Sequence, residues 1–152
     1  MCHVVVVVWV GRKGHVMARV LMLVLLVFGL LGSAVVHLLE WDNWAYTNEV
    51  IGPLFLVNVG AGIVITAAVL LWRHWLPLLA AVGYGAATLG AYLLSLTVGL
   101  FGVEQQLSSS AEVWGLVTDI ACIVFGGLLL LRRDWRSAES DRTATPGATT
   151  AG

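Results

Sequence analysis

The chain has 152 residues, of which 59% are apolar and 11% charged, with a formal net charge of −1. An average soluble domain carries about 25% charged residues, so the polar side chains here are too few to cover a water-facing surface or to keep a chain disordered. With a mean hydropathy of +0.92, this excludes a soluble domain and a disordered one; the lipid bilayer is the first partner implied, and no nucleic-acid partner is expected.

A bilayer core of about 30 Å is crossed by roughly 20 apolar residues in a helix. Four stretches reach that length: 19–39, 51–72, 76–100 and 113–131. Ahead of the first, residues 1–16 hold the run VVVVVWV, too short to span. They read as an extension that lies on the inner surface or precedes a natural beginning at Met17-Ala18-Arg19. A signal peptide cleaved near Ala34 is the rival reading, but residues 35–39 prolong the apolar run to full spanning length, which favours an uncleaved helix. Pro53 and Pro77 fall in first turns, where a missing N–H costs nothing. The runs are continuously apolar rather than alternating, which excludes a barrel. The fold class is therefore all-α: a four-helix transmembrane bundle over residues 17–135. A Ser/Thr/Ala/Gly-rich tail, 136–152, is expected to be disordered.

Cations set the orientation. Arg12, Lys13, Arg19, Arg73, Arg132, Arg133, Arg136 and Arg142 all fall on one side of the four spans, and the other side carries Glu40, Asp42, Glu49, Glu104 and Glu112. Lys and Arg are enriched on the cytoplasmic side of membranes, so both termini are expected inside and the protein in the plasma membrane. Aromatic residues mark the same boundaries: Trp41, Trp44, Tyr46, Phe101 and Trp114 outside, Trp72, Trp75 and Trp135 inside.

Helices in lipid associate through small residues and a few hydrogen bonds. In the third span Gly83, Ala87, Ala91, Ser95 and Gly99 recur every four residues, with Tyr84, Thr88 and Tyr92 beside them. The first span offers Gly29, Ser33 and His37, the second Asn58, Gly62 and Thr66, and the fourth Gly115, Asp119, Cys122 and Gly126. Gly83, Ala87, Ala91, Gly99, Gly62, Gly115 and Gly126 are thus the expected packing positions. Ser33, Asn58, Ser95 and Asp119, with Tyr92, form one polar level in the outer half, roughly 8–10 Å below the surface. His37 and Glu40 form its rim.

Asp119 is the only carboxylate inside a span, and placing it there costs about 2.5–3.5 kcal/mol unless it is protonated, hydrated or hydrogen-bonded. It either fixes helix register or marks a proton, ion or ligand site opening outward. Other chemistries lack their residues. A haem clamp needs histidines from two helices at one depth, whereas His37 is outer and His15 and His74 are inner. Zinc needs three or four convergent ligands, and Cys2 and Cys122 make no disulfide framework or CxxC pair. No metal and no cofactor is expected.

The segments Gly52-Pro53-Leu54-Phe55-Leu56-Val57-Asn58 and Tyr92-Leu93-Leu94-Ser95-Leu96-Thr97-Val98-Gly99-Leu100-Phe101-Gly102, with His37 ahead of an aromatic-acidic outer loop, resemble small four-helix integral membrane proteins of high-GC Gram-positive bacteria. The likeness covers about residues 17–133. It implies a fold and a membrane, and no activity.

The first functional expectation is a non-enzymatic plasma-membrane subunit that packs with itself or with a membrane-protein partner through its small-residue faces. The second is a binding or transport site for a small solute, proton or cation around Asp119. A membrane redox protein is a distant third.

Overall fold

Long apolar stretches broken only at a few turn residues give long helices. In the computed structural model the backbone is described for residues 2–99 and 110–143, and side chains for residues 14–99 and 110–132. Among the described residues four α-helices form: α1 (Cys2–Asn43), α2 (Ile51–Leu71), α3 (Leu76–Thr97) and α4 (Ser110–Thr143), with a 3-10 turn at Ala45–Thr47. Each is long and apolar enough to cross a membrane, over Gly14–Asn43, Ile51–Leu71, Leu76–Thr97 and Ser110–Arg132.

Several boundaries differ from the expectation, each for a local reason. α1 is one uninterrupted helix from Cys2, so residues 2–16 continue it rather than lying apart from it; no proline stands in its path. It also runs unbroken through Gly32-Ser33-Ala34, where Ala34 is packed in the core. α3 stops at Thr97, three residues early, because Gly99 takes a left-handed backbone angle (φ 75°). Gly favours that conformation because it has no Cβ to clash. Gly99 is therefore a turn residue and no part of a packing face. α4 begins at Ser110 and continues to Thr143, eight residues into the segment expected to be disordered; it meets no Gly or Pro between Arg132 and Thr143. Residues 144–152, Phe101 and Glu104 lie outside the described residues.

Turn chemistry fixes the connections. Asn48 Oδ1 accepts hydrogen bonds from the backbone N–H groups of Val50 (3.0 Å) and Ile51 (2.8 Å), satisfying donors at the start of α2. Pro77 occupies the first turn of α3. Trp72 and His74 stack in the α2–α3 connection, with ring centroids 5.6 Å apart.

The helices form a ring in the order α1, α2, α3, α4. The α1–α4 contact is the most extensive, α3–α4 and α1–α2 follow, and α2–α3 is thin; α1 and α3 barely touch across the diagonal. Contact with α4 is close because glycines face it. A Cβ at Gly85 of α3 would stand 2.5 Å from the Asp119 carbonyl oxygen and 2.9 Å from Cys122 Cβ; at Gly29 of α1 it would stand 2.9 Å from the Thr118 carbonyl oxygen. Gly62 and Gly126 also meet neighbouring helices, but Gly83 has nothing within 4 Å and Gly115 only an ordinary contact with Val36. The packing face of α3 is thus the line of Pro77, Ala81, Tyr84 and Gly85, not the Gly83–Ala87–Ala91 stripe.

All eight Lys and Arg positions are carried at one end of this ring, the basic end. That half of the interior is filled by Met22, Leu26, Leu129 and their neighbours Ile65, Val69, Leu78 and Phe125. The opposite, acidic end is not filled in this way. Leu71 is 84% exposed on the outside and Val64 67%. So large an apolar exterior suits lipid and not water.

Candidate binding cavity

Four polar side chains, one from each helix, meet across the bundle axis: Ser33 of α1, Asn58 of α2, Tyr84 of α3 and Asp119 of α4. Ser33 Oγ donates to Asp119 Oδ1 at 2.9 Å, and Tyr84 Oη lies 3.2 Å from Ser33 Oγ. The Tyr84 hydroxyl also donates to Asn58 Oδ1. One phenolic proton serves one of these acceptors at a time, so the four groups form a single branched network. Ser33 is fully buried and Asp119 only 4% exposed. Unpaired polar groups in hydrocarbon cost several kcal/mol each, and mutual bonding is what makes the arrangement tolerable.

Thr88, one turn after Tyr84, lies near the Asp119 carboxyl, but its hydroxyl bonds within its own helix, 3.2 Å from the Gly85 carbonyl oxygen. Its hydroxyl is also within bonding distance of the Tyr84 carbonyl oxygen, at 2.9 Å. Cys122, one turn below Asp119 on α4, is buried and has no disulfide partner.

Above this network the acidic end opens into a partly enclosed cavity of about 390 Å³. The four polar groups stop the apolar packing of the lower half, and Ser33, Tyr84 and Asp119 pin α1, α3 and α4 together at its floor. Small side chains leave the space: Ala61, Ala87, Ala91 and Gly115 line it where larger ones would fill it. One wall is aromatic. His37 packs tilted on Phe55 with ring centroids 5.0 Å apart, and Phe55 meets Trp44 edge-on at 5.7 Å. The Trp44 indole Nε1 donates to Glu40 Oε2 at 2.8 Å, which holds this carboxylate at the rim. His37 Nδ1 donates to the Ser33 carbonyl oxygen at 2.8 Å, so the proton in the neutral ring is assigned to Nδ1 and Nε2 keeps its lone pair. Glu112 and Tyr92 complete the upper lining, and the Tyr92 hydroxyl is buried without a hydrogen-bond partner among the described residues.

Of the expected polar level, Asp119, Asn58 and Ser33 come together. Ser95 and Tyr92 do not reach Asp119: Ser95 Oγ donates instead to the Tyr92 carbonyl oxygen at 3.1 Å, though both residues line the cavity higher up. The shift follows from the helix ends. α3 stops earlier than expected and α4 starts earlier, so Ser95 is shallower and Asp119 deeper, about 14 Å below the start of α4. Asp119 therefore meets the Tyr84–Thr88 turn. Tyr84 was visible in the sequence only as a neighbour of the small-residue stripe, and Phe55 and Glu112 carried no signal that tied them to the site.

No group of three or more His, Cys, Asp or Glu placed to hold a metal ion occurs among the described residues. No protein-family model, curated protein or solved structure matches the chain.

Proposed function

We propose that this is a plasma-membrane protein with both termini in the cytoplasm, and that its cavity is a non-enzymatic binding site for a small solute arriving from outside. One observation carries the reading: a hydrogen-bonded network with a group from every helix underlies a cavity of about 390 Å³ at the acidic end, with Asn58, Tyr84 and Asp119 in its lining and Ser33 buried behind them. That volume lies in the range of small-molecule sites, which are mostly apolar with a few convergent polar groups. A residue serving register alone needs one partner and no cavity. The positive-inside rule supports the orientation, since every Lys and Arg lies at the far end. The packed lower half closes the path through the bundle, so binding and not open conduction is what this conformation serves.

The test is thiol accessibility in intact cells, in a Cys2→Ser background. Ala91→Cys on the cavity wall should be modified from outside by membrane-impermeant methanethiosulfonates. The native Cys122, fully buried below the floor, and Ser140→Cys beyond the basic end should not. Protection of Ala91→Cys, or labelling of Ser140→Cys from outside, would overturn the reading.

A second reading, association with another copy through small-residue faces, is favoured by the outer surface of α3. Gly83 and Gly90 lie one heptad apart there with nothing within 4 Å, and small-residue faces let membrane helices approach closely. Disulfide cross-linking of Gly83→Cys in native membranes should then yield a dimer that Val64→Cys, on the exposed surface of α2, gives less efficiently. Equal cross-linking at both would remove this reading.

A further inference from the structure

The lining of the cavity is one-sided in charge. Among the described residues Glu40 from α1 and Glu112 and Asp119 from α4 are its carboxylates, and no Lys or Arg lines it. None lies anywhere at that end of the chain, because all eight are carried at the basic end. Among the described residues, His37 is the only other ionisable group of the lining apart from tyrosine hydroxyls. Aromatic side chains stand among these carboxylates: Trp44 is bonded to Glu40 and meets Phe55, and Tyr84 and Tyr92 of α3 also line the cavity. Aromatic faces attract cations, most strongly when the cation is desolvated, and aromatic cages are how ammonium groups are commonly held.

We infer that the cavity takes an organic monocation: a positively charged amine on an apolar body, its charge held by the carboxylates Glu40, Glu112 and Asp119 and by the aromatic faces beside them. The inference rests on the cavity being an outward-facing binding site. Other ligand classes fit worse. An anion would meet three carboxylates and no fixed cation. A wholly apolar guest would leave the polar floor and the buried Tyr92 hydroxyl, which has no partner among the described residues, unused. An inorganic divalent ion needs several clustered oxygen or nitrogen ligands, and no such group occurs among the described residues. The volume admits a compact aryl or alkyl amine and excludes a large peptide.

The full-length protein in lipid nanodiscs would be titrated calorimetrically with phenyltrimethylammonium, whose charge does not depend on pH. Its uncharged carbon isostere, tert-butylbenzene, and the anion benzenesulfonate would serve as competitors. Saturable binding is expected, weakened about tenfold or more by Glu40→Gln and by Asp119→Asn, with no competition from either control. Gln at 40 can still accept from Trp44, and Asn at 119 can still accept from Ser33; each variant must keep the wild-type melting temperature to be counted. If Asp119→Asn fails to fold, Glu40→Gln and the isostere decide the matter. Equal competition by tert-butylbenzene would show that shape and not charge selects the guest, overturning the inference while leaving a binding cavity. Absence of saturable phenyltrimethylammonium binding would also overturn it, and labelling of Ala91→Cys would show separately whether the cavity is open.

Discussion

Asp119 sits where a carboxyl group is most expensive, yet its surroundings are built to receive it. Ser33 donates to Oδ1 at 2.9 Å, and Thr88 stands beside it. Asn keeps the size and an acceptor oxygen for Ser33, so Asp119→Asn should cost less than about 1 kcal/mol. Leu removes the acceptor and strands the Ser33 hydroxyl in a buried position, so Asp119→Leu should cost about 1–2 kcal/mol. Reversible unfolding in mixed micelles measures both. Equal losses in the two variants would mean that the carboxyl charge, and not its hydrogen bond, holds the helices. At this scale the sequence was partly legible. A lone acid inside a span demands partners, and one polar residue per helix at a similar depth pointed to Ser33 and Asn58. Tyr84 and Thr88 are hidden in the sequence because the level of Asp119 depends on helix ends that a left-handed Gly99 and an early start of α4 move in opposite directions.

Helix pairing depends on which small residues face a neighbour, and two glycines of α3 separate the cases. Gly85 lies against the α4 backbone, where a Cβ would come within 2.5 Å of the Asp119 carbonyl oxygen. Gly85→Ala must push α3 and α4 apart and should destabilise the bundle by about 1–3 kcal/mol. Two residues earlier, Gly83 has open space, and Gly83→Ala should be neutral or stabilise by up to about 1 kcal/mol through helix propensity. Thermal melts of the two variants test this directly, and similar losses in both would contradict the packing described. Periodicity alone could not choose between them. A four-residue repeat of Gly, Ala and Ser suits helix contact, a cavity wall or a lipid-facing surface equally, because all three require only small size. Ala87 and Ala91 in fact border the cavity, and the close contact belongs to the adjacent line through Ala81 and Gly85. The four spans themselves were legible, since apolar length is a property of the chain and not of its packing.

At the scale of the molecule, the two ends have different physical characters. The basic end is filled with aliphatic side chains and carries every fixed cation; the acidic end holds the cavity, three lining carboxylates and the aromatic wall. Such a cleft between low-dielectric walls focuses its potential and raises the local concentration of counter-ions. The cavity was the part least visible in the sequence, because it arises from space left by Ala61, Ala87, Ala91 and Gly115 across three helices, and no single segment encodes that space. The most direct measurement is the rate at which Ala91→Cys reacts, from outside intact cells, with a trimethylammonium-bearing methanethiosulfonate and with its sulfonate counterpart, each normalised to its rate with a free thiol. An outward cavity with a negative lining predicts that the cationic reagent reacts about tenfold faster, with the ratio falling toward one in an Asp119→Asn, Glu40→Gln background. Equal normalised rates, or faster reaction with the sulfonate, would contradict it.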